Sequence, residues 1–242
     1  MASRMLAFDT SGDVTAVAVL DGDRVLVEDS AASQERHAET LLPRIEQCLA
    51  RAGLSLREID VFAVGIGPGS FTGVRVGVAT AKGLALATGK PLRGVVSLSA
   101  LAGGARESLQ CDAVLVAPIL EAYKGEVFAA LYRVSAAECT QALAPFHAAP
   151  EDAARAIAQA VNGRGFYALG TGYRRYAERM SPAWARGQYT ALDAAWDSPQ
   201  ARHIAREARR ELEHEGPSDT ARLAPLYVRD SDAQLPKTPL RV

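Results

Sequence analysis

The sequence predicts an α/β protein made of two ribonuclease-H-like lobes in series, the architecture of the actin/Hsp70/sugar-kinase (ASKHA) type. Three observations predict it. Residues 5–96 read as strand, strand, strand, helix, strand, helix, strand, and a fainter copy of that order follows. Each half also sets an apolar strand before a glycine loop: Phe62-Ala63-Val64-Gly65 in one, Phe166-Tyr167-Ala168-Leu169-Gly170 in the other.

Taken in order, Met5 to Phe8 is a short apolar run that ends in the turn formers Asp9-Thr10-Ser11-Gly12-Asp13. Val14 to Leu20 is β-branched and almost wholly apolar, as suits a strand covered on both faces. Asp21-Gly22 supplies the positive φ values of a tight hairpin, and Arg24 to Glu28 returns as a third strand. Ser33 is placed to cap a helix over about 34–52, which Gly53 stops. Leu41, Leu42, Ile45, Cys48 and Leu49 share one arc of that helix, and Pro43 inside it is expected to kink or divide it. Ile59 to Ile66 reads as a buried strand, the glycine loop 67–73 leads into a helix ending at Thr88, and Leu92 to Val96 closes the lobe. In the second half, Ala113–Ile119 and Glu126–Val134 read as strands, Pro150–Val161 as a helix, Phe166–Leu169 as a strand, and Gly170-Thr171-Gly172 as a loop into further helix. The expected division is 1–104 for the first lobe, 105–218 for the second, and an extended tail over 219–242 that contains Pro225, Pro236 and Pro239.

The helix over 71–88 has too little polar surface for a helix that simply lies on a sheet. Its only charges, Arg75 and Lys82, are seven residues apart and share one narrow stripe. Val74, Gly77, Val78, Ala81 and Ala85 form one apolar face, while Val76, Thr80, Gly83 and Ala87 form another of small residues. Gly73, Gly77, Ala81 and Ala85 recur every fourth residue and admit close approach of another backbone. Two readings fit: a helix wedged within its own domain, or one with a sheet on one side and a partner protein on the other. On the second reading Ala81→Glu is expected to abolish pairing and leave the monomer folded.

Composition narrows the function. The 242 residues carry a net charge of −1, without the basic excess of a stand-alone nucleic-acid binder. No apolar run approaches the ~20 residues that span a bilayer, and Asp9 interrupts the N-terminus too early for a signal-peptide core, so the cytoplasm is expected and no membrane partner. Cys48, Cys111 and Cys139 are widely spaced and form no Cys-x-x-Cys pair. His37, His147, His203 and His214 are scattered, and His37-Ala38-Glu39 has a spacing that points its side chains apart, so neither a metal nor another cofactor is expected. The loop Gly67–Gly73 lies between a strand and a helix start, where backbone N–H groups bind anions, but it lacks the Gly-Lys-Ser/Thr ending of a P-loop. Asp9, Ser11, Gly69 and Ser70 are therefore candidate anion or nucleotide contacts; the same residues also serve as turn and cap formers. Arg202, Arg206, Arg209 and Arg210 share a helix with Glu207, Glu211 and Glu213, which reads as a solvated face of mixed sign.

At this point the residues resemble the TsaB (YeaZ) family. Leu6-Ala7-Phe8-Asp9-Thr10-Ser11 is similar to its opening, and Arg36-His37-Ala38-Glu39-Thr40-Leu41-Leu42-Pro43 to its first-helix motif. Gly65-Ile66-Gly67-Pro68-Gly69-Ser70-Phe71-Thr72-Gly73-Val74-Arg75 resembles its longest signature, and Pro225-Leu226-Tyr227-Val228-Arg229 its C-terminal one. The resemblance implies two actin-like lobes and a non-catalytic scaffold for threonylcarbamoyl transfer to the tRNA adenosine beside the anticodon. It implies a homodimer when alone, pairing with the catalytic subunit TsaD, a TsaE-like ATPase in the larger complex, and only indirect contact with tRNA. Pairing is expected through Leu41, Leu42, Ile45, Val74, Arg75, Gly77, Val78, Ala81, Lys82 and Ala85. TsaD carries its metal on a His-x-x-x-His motif after the fifth strand, where this chain has Ser97 and Leu101. One departure is Glu121-Ala122-Tyr123, which stands where the family has an Asp-Ala-Arg-like stretch. The alternative reading is an independent actin-like ATPase or phosphotransferase that uses Asp9 and the Gly67–Gly73 loop.

Overall fold

A computed structural model describes residues 3–32, 37–109 and 113–228, with His37 and Ala38 described by backbone alone. The expected Ser33 cap, Arg36, Cys111, Arg229 and the tail beyond it lie outside the described residues.

The first half folds as β1 (Arg4–Asp9), β2 (Val14–Asp21), β3 (Arg24–Ala32), α1 (His37–Ala52), β4 (Val61–Gly65), α2 (Phe71–Thr88) and β5 (Leu92–Val95), with sheet order β3-β2-β1-β4-β5. There follow α3 (Ser97–Gly104), β6 (Ala113–Ala122), β7 (Glu126–Ser135), β8 (Cys139–Ala148), α4 (Pro150–Val161), β9 (Phe166–Leu169), α5 (Thr171–Met180), β10 (Tyr189–Ala191) and α6 (Ala201–Glu215). Their sheet, β10-β9-β6-β7-β8, repeats the first strand for strand: an antiparallel three-stranded ribbon, then two parallel strands beside its first member. The duplication read from the two glycine loops is thus a duplication of topology.

Strand alternation builds two cores on the first sheet. Leu6, Phe8, Val17, Val19, Phe62 and Val64 point to the outer face, where α1 and α2 cover them with Leu41, Ile45, Leu49, Ala81 and Ala85. Met5, Ala7, Ala16, Ala18 and Ala63 point to the inner face, and its run of alanines lets Ala201, Ile204, Ala205 and Ala208 of α6 settle close to the sheet. On the second sheet α4 and α5 form the outer cover, and α3 packs on the inner face through Leu98, Leu101 and Ala102.

The expected division at 104/105 falls just after α3. Helix α3 leaves the first sheet to pack on β6, β7 and β8, while α6 comes back from the second half to lie across β1, β2, β4 and β5. The two lobes exchange their inner helices, and α3 and α6 pack on each other between the sheets. Pro43 does not divide α1, which runs through it. The bond it lacks would go to Glu39, four residues back and near the start of the helix, so the cost is one hydrogen bond in the first turns. The segment 217–228 makes a turn over 219–222, is otherwise without regular structure, and is packed against the first lobe. Ser218 N–H donates to Leu92 C=O (2.8 Å), and Leu226 N–H to Ile66 C=O (2.8 Å). Among the described residues no helix is long and apolar enough to cross a membrane.

Candidate partner interface and the buried carboxylate beside it

Helix α2 begins at Ser70, whose Oγ accepts from Gly73 N–H (3.3 Å), and ends at Gly89 in the left-handed conformation (φ 67°). Its Gly73–Gly77 seam has an internal cause. Thr10 Oγ1 donates to Gly73 C=O (2.7 Å), and a Cβ on Gly77 would come within 2.4 Å of the same hydroxyl. The close approach that these glycines permit is made by the end of β1.

Under that seam lies Asp9, buried together with Thr10, Ser11 and Ser97. Its Oδ1 accepts from Ser11 N–H (2.7 Å) and Ser11 Oγ (2.6 Å), and its Oδ2 from Ser97 Oγ (2.6 Å). A carboxylate withdrawn from water needs such donors. Ser97 also accepts from Gly67 N–H (3.1 Å), and Gly67 C=O accepts from Ser97 N–H (2.8 Å), so the glycine loop is tied to the start of α3. A Cβ on Gly65 would sit 1.8 Å from Asp9 Oδ2, and one on Gly69 2.1 Å from Ser11 C=O, which explains both glycines by space alone. The four candidate anion contacts, Asp9, Ser11, Gly69 and Ser70, do converge. Their polar groups bond to one another: Ser70 N–H donates to Ser11 C=O (2.6 Å), which spends a helix N-terminal donor within the chain. The sequence reading noted Ser97 only as standing in place of a metal-binding histidine; its bond to Asp9 had no local signal beyond a polar residue directly after a strand.

The ten expected pairing residues separate by burial. Leu41, Ile45, Val74, Gly77, Val78, Ala81 and Ala85 are buried against the chain's own core. Leu42 and Arg75 are exposed, and Lys82 is half-buried. The outward surface of α2 is instead Phe71, Thr72, Arg75, Ala79, Gly83, Leu86 and Ala87, an arc rotated from the small-residue face of the sequence reading toward Ala79 and Leu86. Both charges of the stripe are bonded to the segment that lies against α2. Lys82 Nζ donates to Ala221 C=O (3.0 Å) and Leu223 C=O (3.1 Å), and Arg75 Nε to Tyr227 Oη (2.8 Å).

The corresponding region of the second lobe is built differently. Gly170 and Gly172 press on the backbones of Ile119 and Leu120, and Glu121 N–H donates to Thr171 Oγ1 (3.2 Å). Glu121 itself pairs with Arg175 at the surface (2.7 Å), and Tyr123, in the place of the family's Arg, is exposed.

Where α3 and α6 meet, a polar cleft of about 620 Å³ is lined by Glu107, His203, Arg206, Glu207 and Arg210 among others. Glu107 takes His203 Nε2 at 3.3 Å, Arg202 at 3.1 Å and Arg206. The His203 imidazole first, then the two guanidiniums, hold its carboxyl well below the usual range, while burial pushes His203 down. Burial, reinforced by the Glu211 carboxylate, pushes Glu207 up to about 8. The Arg106 guanidinium opposes this, and Arg210 Nη1 donates to Glu207 Oε1 (2.9 Å). Among the described residues no cluster of three or more His, Cys, Asp or Glu side chains could hold a metal ion.

Residues 29–237 match the family model described as TsaD: tRNA N6-adenosine threonylcarbamoyltransferase. The TsaB protein of Haemophilus influenzae, titled a tRNA threonylcarbamoyladenosine biosynthesis protein, is 40% identical over 125 residues, 51% of each chain. The chain spans about half the length of the curated relatives it matches. Over nearly the whole fold, the solved structure of YeaZ from Pseudomonas aeruginosa superposes with a TM-score of 0.80 at 31% identity, covering 93% of this chain and 99% of that one. A ROK hexokinase from Thermus thermophilus (TM-score 0.54, 16% identity, 87% and 99% covered) shares the two-lobed fold alone. The topology, the glycine-loop signature on its buried carboxylate and these matches agree: the chain belongs to the family the TsaD model describes and, within it, to the TsaB (YeaZ) proteins.

Proposed function

We propose that this chain is a scaffold subunit in tRNA threonylcarbamoyladenosine biosynthesis, and that it pairs with a TsaD-type catalytic subunit through the outer layer formed by α1 and α2. A TsaE-like ATPase joins the pair, and tRNA is met mainly through the partner. One observation carries the reading. Of the five large apolar side chains exposed among the described residues, four are Leu42 on α1, Phe71 and Leu86 on α2, and Tyr227 on the segment lying against α2. Apolar exposure gathered on one layer of a protein marks an interaction surface. The small Ala79 and Gly83 between them let a partner helix come close.

The scaffold half of the reading rests on residue chemistry. Ser97 gives its hydroxyl to Asp9 and Leu101 fills the second-lobe core, so the positions of the family's metal-binding histidines carry structural side chains. Leu86→Glu tests the reading. The variant is expected to fold as the wild type does, to fail to co-purify with the TsaD-type subunit, and to leave the mixture inactive in tRNA modification. A folded Leu86→Glu protein that pairs normally would refute it. The same preparations report on the ATPase alternative: turnover of ATP by this chain alone, abolished by Asp9→Asn, would favour an independent enzyme.

A further inference from the structure

We propose that the segment 217–228 is a strap that determines how well the pairing face binds, with Tyr227 as a positioning residue; this rests on the pairing reading above. The strap leaves α6 and caps the open edge of the first sheet, where Ser218 Oγ accepts from Gly94 N–H (3.1 Å) beside its own bond to Leu92. Leu223 then seats on the bare backbone of Gly94, where a Cβ would come within 2.5 Å of it. At its far end the Val228 carbonyl lies 2.7 Å from His147 Nδ1, so the strap runs from the edge strand of one sheet to the edge strand of the other.

Both cations of α2 are committed to this segment: Lys82 holds its middle through two carbonyls, and Arg75 holds Tyr227. The result is a preformed cluster at the head of α2. The Phe71 and Tyr227 rings stand 5.5 Å apart, and the Arg75 guanidinium lies 3.6 Å over Phe71. Both rings remain about half exposed, at 48% and 50%. Arg75 has no carboxylate partner among the described residues. Tyrosine and arginine in such a setting are the side chains on which interface energy concentrates, and holding them in place beforehand removes the cost of ordering them on binding. The cluster is continuous with Ala79 and Leu86 along the same outward arc of α2. It fits a partner surface that is apolar and brings a carboxylate to Arg75, contributed by the TsaD-type subunit.

The test is a titration of that subunit into the full-length wild type, Tyr227→Ala, Tyr227→Phe and Leu86→Glu, with thermal melts of each. Tyr227→Ala is expected to weaken pairing about tenfold with an unchanged melting temperature, and Tyr227→Phe, which keeps the ring, to recover most of the loss. Normal pairing by Tyr227→Ala while Leu86→Glu fails would overturn the strap proposal and leave the pairing reading standing. Normal pairing by both would overturn the reading itself. If Tyr227→Ala pairs normally but the assembled pair loses affinity for tRNA, the cluster is a nucleic-acid contact and the proposal is wrong.

Discussion

Helices α2 and α6 lie on opposite faces of the same sheet and contradict the usual relation between charge and exposure. The 18 residues of α2 hold two cations and no acid, yet α2 is on the outside of the molecule. In α6 charged residues dominate, yet none of its residues from Ala201 to Leu212 is fully exposed. The difference lies in where each charge finds its counterpart. Arg202 pairs with Glu28 and Glu107, Arg209 with Asp23 (3.0 Å), and Glu211 with Arg93 (2.7 Å), so α6 is neutralised by other elements as it enters the space between the lobes. The cations of α2 are taken up by the strap, and among the described residues nothing covers Ala79, Gly83 and Leu86. A charged helix can be interior when its partners are built in, and an apolar helix can be exterior when its partner is another molecule.

Four substitutions sharpen or break this contrast. The largest effect is expected from Ala81→Glu, which the sequence alone reads as sparing the folded monomer. Ala81 is 0% exposed, so an unpaired carboxylate there costs about 4 kcal/mol and lowers the melting temperature by roughly 10 °C. A variant that melts like the wild type would put the inner face of α2 on the surface. Next is Glu107→Ala, which strips Arg202 and Arg206 of their common acceptor and His203 of its neighbouring carboxylate. With Glu107 about a third exposed, a loss of about 1–2 kcal/mol is expected in urea unfolding. This contribution is held above the ordinary carboxyl value of 4.5 and fades as pH falls through the depressed one. No change would make the α6 charges a solvated face after all.

The third concerns pH. Glu207 has its folded value raised from 4.5 to about 8, so the fold binds the proton that the unfolded chain releases. Its contribution is therefore greatest at low pH and falls by ~1 kcal/mol per unit as pH rises toward 8. His203, pushed below 6.5, acts in the opposite sense only under that value. Between pH 6.5 and 9, Glu207→Gln is expected to flatten the decline in stability; an equal slope in both proteins would place the carboxyl in solvent. The smallest effect on folding is expected from Leu86→Glu. At 73% exposure it should shift stability by less than ~0.5 kcal/mol. A larger loss would mean that the outer arc is already covered by its own chain.

What the sequence made legible follows from the range of the signals. Strand alternation, the Asp21-Gly22 hairpin, the Ser70 and Gly89 caps and the repeated strand–glycine-loop pairs are local, and the elements they mark were found. Helix α3 left no such mark, because nearly every residue from Ser97 to Gly104 is buried and a helix covered all round has no polar face to reveal its period. The hydroxyl that steadies Asp9 comes from 88 residues away, and the acids that neutralise α6 lie on β2–β3 and beyond α3. The wheel of α2 placed its inner apolar face but not its outward arc, and it could not say that Thr10 fills the glycine seam or that the strap takes the polar stripe. Leu41, Ile45, Val74, Gly77, Val78, Ala81 and Ala85, read as pairing residues, are buried in this chain.

The exchange of inner helices has a consequence for how the chain is made. The first sheet is complete once β5 has left the ribosome, but the helix that covers its inner face begins only at Ala201. At about 5–20 residues per second, Met5, Ala7, Ala16 and Ala18 wait roughly five to twenty seconds before α6 arrives. The nascent chain passes through a long half-covered state in which this sheet is open to chaperones, or to the same sheet on a neighbouring ribosome.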